Sequence, residues 1–155
     1  MFELRRKFLK GSVSATLLLP LLGALRPSAV LAAEWNRNAF TARNAADALK
    51  AYGAAAASEN REILINAPEI AENGAKVDIE VSSNLANTRS LALFADKNPM
   101  PLCASFDFTP PLLPYARAQI KLAESTRIRA VAKTSDGKVY IAFREVKVTL
   151  GGCGG

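Results

Sequence analysis

From Ile63 onward the apolar residues of this chain recur at every second position, and that period limits the fold more than any other feature. Val77, Ile79 and Val81 alternate with Asp78 and Glu80, the pattern of a strand with one wet face. Ala116, Ala118, Ile120 and Leu122 share a face opposite Arg117, Gln119 and Lys121, and residues 103–108 and 128–134 alternate likewise. Ile63-Leu64-Ile65 and residues 91–95 are shorter apolar strands, and residues 138–150 supply one or two more. Between these runs stand turn formers: residues 69–74, with Asn73-Gly74 strongest, then 84–88, then Asn98-Pro99-Met100-Pro101. Pro110, Pro111 and Pro114 break the chain because proline cannot donate to a ladder, and Ser135-Asp136-Gly137 reads as a hairpin turn. Some seven or eight short strands at this rhythm predict an all-β, immunoglobulin-like β-sandwich rather than a parallel α/β sheet. The Cys…Trp…Cys hallmark of antibody domains is absent.

Ahead of the strands the period is helical. Phe40, Ala45, Ala48, Leu49 and Tyr52 fall on one face of a predicted amphipathic helix over 38–57. Thr41 or Asn44 is placed to cap its start, and Gly53 weakens it.

Further upstream, Arg5-Arg6-Lys7-Phe8-Leu9-Lys10 precedes an apolar stretch over 13–25, and Val30-Leu31-Ala32 ends in a small residue. Charged region, apolar core and small-residue site together read as a cleaved export signal. A bilayer span needs roughly 18 or more apolar residues; this core is shorter and is interrupted by Pro20. No stable membrane insertion is therefore expected after cleavage. Arg5 and Arg6 with the Phe-Leu-Lys continuation match the twin-arginine (Tat) type, with Leu4 where a Ser or Thr is usual. The expected organisation is a signal peptide over 1–32, a helical lead-in over 33–58, a sandwich over 59–150 and a flexible tail over 151–155. The expected location is the periplasm.

Charge and composition exclude much. The net charge is +6, but five basic residues lie in the first 32, leaving 15 basic against 13 acidic in the remainder. That is too balanced for a phosphate-tracking surface, so no nucleic-acid partner is expected. The chain has no histidine, which rules out a Ser-His-Asp triad, a Cys-His pair and His-ligated zinc or copper. Two cysteines without a CxxC or CxxCH motif provide no haem attachment and no redox pair, so no metal and no cofactor is expected.

What remains is the thiol in Leu150-Gly151-Gly152-Cys153-Gly154-Gly155. Four of nine glycines flank Cys153. Without Cβ atoms these positions make a slim tether, and three residues beyond Leu150 extend about 10 Å. Such an arm suits entry into another protein's deep site. Within the arm Cys153 has no cation or helix N-terminus to lower its pKa, which favours a carried group over a self-contained enzyme. Two plainer readings stay open: a disulfide from Cys153 to Cys103, or an incidental tail on a non-catalytic adaptor. Cys103 lies in an alternating strand and reads as structural.

The terminal Gly-Gly-Cys-Gly-Gly, the Ala71-Glu72-Asn73-Gly74-Ala75 turn, Lys97-Asn98-Pro99-x-Pro101 and the twin-arginine leader together resemble the SoxY family of bacterial sulfur-oxidation carrier subunits. The resemblance implies an immunoglobulin-like fold and a heterodimer with a SoxZ-like subunit. It implies that Cys153 is the site of covalent sulfur attachment and that Gly151, Gly152, Gly154 and Gly155 form its swinging arm. It implies transient docking with other enzymes: a SoxXA-like c-type haem enzyme that conjugates thiosulfate, a SoxB-like hydrolase that releases sulfate, and a sulfane-dehydrogenase-like enzyme. The chain itself would then be no enzyme. Sulfur adducts on Cys153 would stand in place of a cofactor.

Overall fold

The computed structural model describes residues 36–151. The first described elements are two short helices, not the single helix expected over 38–57. Helix α1 spans Arg37–Thr41 and α2 spans Ala45–Tyr52. The break comes from Asn44, whose backbone is extended and whose Oδ1 accepts from the Asp47 N–H at 2.8 Å, capping α2 anew. Asn36 caps α1 in the same way, with Oδ1 accepting from the Ala39 N–H at 3.1 Å. At the other end Gly53 adopts φ 78°, a left-handed conformation favouring glycine. There the Ala54 N–H donates to the Leu49 carbonyl at 2.7 Å and the Gly53 N–H to the Lys50 carbonyl at 3.0 Å. Residues 54–57 therefore leave the helix.

Nine strands follow among the described residues: β1 (Ser58–Glu59), β2 (Ile63–Asn66), β3 (Ile70–Asn73), β4 (Val77–Ser83), β5 (Thr88–Ala95), β6 (Leu102–Asp107), β7 (Tyr115–Ile120), β8 (Thr126–Thr134) and β9 (Val139–Leu150). The larger sheet runs β1-β9-β8-β5-β6, with β3 also on β9; the smaller runs β2-β4-β7. The fold is thus an all-β, immunoglobulin-like sandwich, as the period-two pattern predicts.

One segment corrects that reading. Residues 69–74, expected to be a turn, contain the strand β3, which pairs in parallel with the far half of β9 (Ile70 with Lys147, Asn73 with Leu150). The turn begins only at Asn73, whose Oδ1 accepts from the Ala75 N–H at 2.8 Å. Leu122, expected in β7, lies just past its end yet is fully buried.

Strands β5 and β8 are covered on both faces, which explains why Leu91-Ala92-Leu93-Phe94-Ala95 is apolar at every position. Leu91, Leu93 and Ala95 face Val77, Ile79 and Val81 of β4, with Ile128, Ala130 and Val146 completing the core between the sheets. Ala92, Phe94 and Val131 face outward, against Ala39, Ala48, Tyr52 and Ala54 of the helical segment. The Tyr52 ring meets Phe94 edge-on, centroids 5.6 Å apart, while its hydroxyl bonds Ser90 and Ser105. The helices are a third layer that seals the sheet.

Candidate functional site

Cys153, Gly152, Gly154 and Gly155 lie outside the described residues, as do Arg5 and Arg6. Gly151 is described and directly follows the end of strand β9. β9 is the longest of the described strands, with β8 along one edge and β1 and then β3 along the other. Near its end Val148 donates its N–H to Ser125 Oγ at 2.9 Å, and the Leu150 carbonyl accepts from the Gly74 N–H at 2.7 Å.

Gly74 is buried and uses both backbone groups. Its carbonyl accepts from the Leu122 N–H at 2.7 Å, tying the turn after β3 to the loop after β7. That loop also rests on Asn98, whose Oδ1 accepts from the Ala123 N–H at 3.0 Å and whose Nδ2 donates to the Lys121 carbonyl at 2.7 Å. Against the loop lies Gly151. A Cβ built on it would overlap the Ala123 carbonyl oxygen, so only glycine allows this approach.

Three stretches distant in sequence, 73–75, 98–101 and 121–125, thus converge on the last turn of chain before the tail. Asn73-Gly74 and Asn98 stood out in the sequence as a turn and a proline-rich motif. Their joint role was hidden, because the hydrogen bonds that create it span separate loops.

Cys103, on β6, is half-buried beside this cluster. Its Sγ donates to the Pro101 carbonyl at 3.4 Å and accepts from Asn98 Nδ2 at 3.7 Å. Burial pushes its pKa up to about 11, outweighing hydrogen bonds from Ala95 and Asn98 that lower it. At neutral pH the group is therefore an un-ionised free thiol, chemically inert in the role of nucleophile. Among the described residues no group of three His, Cys, Asp or Glu side chains is placed to hold a metal ion. No helix among them is long and apolar enough to cross a membrane.

The family model for "Sulfur oxidation protein SoxY" matches residues 48–153, ending on Cys153 itself. The sulfur carrier protein SoxY from Chlorobium limicola f thiosulfatophilum superposes with TM-score 0.63 at 36% identity, over 71% of this chain and 96% of that one. The chain belongs to the SoxY family. A superoxide reductase (neelaredoxin) from Ignicoccus hospitalis shares the fold at 21% identity and TM-score 0.51, over 57% of this chain and 80% of that one. A search of curated proteins found no match.

Proposed function

We propose that this protein is a covalent carrier of sulfur intermediates in thiosulfate oxidation, with the Cys153 thiol as the attachment site. Membership of the SoxY family carries the reading, together with a family match that runs through Cys153. The relative from Chlorobium limicola is itself described as a sulfur carrier. In the first step the thiol and thiosulfate form an S–S bond. The thiol proton is released, and two electrons pass to the c-type haem enzyme. Water then cleaves the bond between the sulfane and sulfonate sulfurs, releasing sulfate and leaving a persulfide on Cys153. A thiol that keeps its cargo through successive enzymes holds it at high effective concentration.

The protein contributes attachment and presentation, not turnover, and needs no cofactor of its own. It works in the periplasm after twin-arginine export, paired with a SoxZ-like subunit. SoxXA-like, SoxB-like and sulfane-dehydrogenase-like enzymes dock on it in turn. The absence of histidine supports the division of labour, since the chain lacks the usual base to activate a thiol.

The test is Cys153→Ala in a reconstituted thiosulfate-oxidising mixture. Activity should vanish while thermal unfolding and partner binding stay unchanged, and a variant that still supports oxidation overturns the assignment. In wild-type protein isolated from periplasm, tryptic peptide 148–155 should carry sulfonate or persulfide mass.

A further inference from the structure

A tether that needed only suppleness would not need its first glycine packed against the backbone of a neighbouring loop. Gly151 is packed so, since a methyl group there would strike the Ala123 carbonyl. Ala123 cannot easily retreat, because its N–H is held by Asn98 Oδ1 and the preceding Leu122 is fully buried with its N–H on Gly74. On the other side the Gly74 N–H holds the Leu150 carbonyl, and Ser125 holds Val148. The strand end is clamped from both edges up to its last described residue.

We propose that Asn98, Gly74 and Gly151 are positioning residues for the carrier reaction: they fix Gly151 as the point from which Cys153 is delivered. This rests on the carrier reading of Cys153 above. Cys153 stands two positions beyond Gly151, which limits the separation of their Cα atoms to about 7 Å. Each further residue freed from the clamp adds about 3.5 Å of reach. It also spreads the thiol through a larger volume, so its effective concentration in a docked enzyme falls. The clamp therefore trades reach for aim. Any enzyme that acts on the adduct must bring its pocket up to the face formed by the 73–75, 98–101 and 121–125 loops.

The experiment compares Gly151→Ala, Asn98→Leu and Asn98→Asp with Gly152→Ala in the full chain with its partner subunit. Three quantities are read: hydrogen exchange at the Gly74 amide, the rate of Cys153 alkylation by iodoacetamide, and kcat/KM for the carrier in reconstituted thiosulfate oxidation. Gly151→Ala and Asn98→Leu should speed Gly74 exchange and lower kcat/KM about tenfold, the size of effect expected from a misplaced reacting group. Alkylation should stay within about twofold of wild type, because a small reagent needs no aim. Asn98→Asp keeps the acceptor for Ala123 and loses the donor to Lys121, so it should fall between. Gly152→Ala adds its methyl group to the arm beyond the fixed point, so it should leave Gly74 exchange at the wild-type rate and lower kcat/KM less than Gly151→Ala does. Faster Gly74 exchange with unchanged kcat/KM overturns the proposal, and so does an equal loss at 151 and 152. Cys153→Ala run alongside separates the two ideas. Activity in that variant overturns the carrier reading, whereas an inactive Cys153→Ala beside a fully active Gly151→Ala overturns the clamp alone.

Discussion

Cys103 shows how strongly surroundings set the chemistry of a side chain. Its thiol is withdrawn from water beside Pro101 and Asn98, and desolvation raises its pKa to about 11. A thiol whose folded pKa exceeds its unfolded value binds the proton more tightly when folded. Its contribution to stability is complete below the unfolded pKa, near 9, and is lost as pH rises through 11. Urea unfolding should therefore show a decline of up to about 3 kcal/mol across that interval, since each pKa unit corresponds to about 1.4 kcal/mol. Cys103→Ala should flatten the decline relative to wild type, and two parallel pH profiles would show that the thiol is not responsible. The structural reading of Cys103 was legible from its place in an alternating strand. The raised pKa was not, because it depends on what packs over the strand.

At the scale of elements, local chemistry was readable and pairing was not. Asn44 was recognisable as a cap and Gly53 as a weak point, since both act on their own neighbours in the chain. What could not be read was that Asn44 divides the helical pattern into α1 and α2 while Gly53 ends α2. Gly53→Ala should cost about 1 kcal/mol in urea unfolding, the penalty for a Cβ in the left-handed region, and leave carrier activity unaltered. An undiminished stability would mean that the cap relaxes without loss. Strand β3 was missed for a different reason. Ile70 is exposed and Asn73-Gly74 is a strong turn signal, so no alternation marks the segment. It is a strand because β9, far along the chain, offers an open edge to its backbone. Backbone hydrogen bonds carry no sequence label.

For the molecule as a whole, export and assembly are expected to be linked. If the leader carries both this chain and its partner subunit, replacing Arg5 and Arg6 by Lys should retain both in the cytoplasm. Cell fractionation checks this, and a partner found outside without the carrier sinks the linkage. By itself the sequence determined the period of two, hence an all-β sandwich, because alternation is a local property of the pleat. It also determined the chemistry available, since a chain with no histidine and one glycine-flanked thiol has few ways to act. Only the tertiary structure decided that β5 and β8 are buried on both faces, that β3 completes the long sheet, and that three remote loops grip Gly151. Each of these depends on contacts between residues far apart in the chain, and such contacts are settled by which surfaces the folded layers bring together.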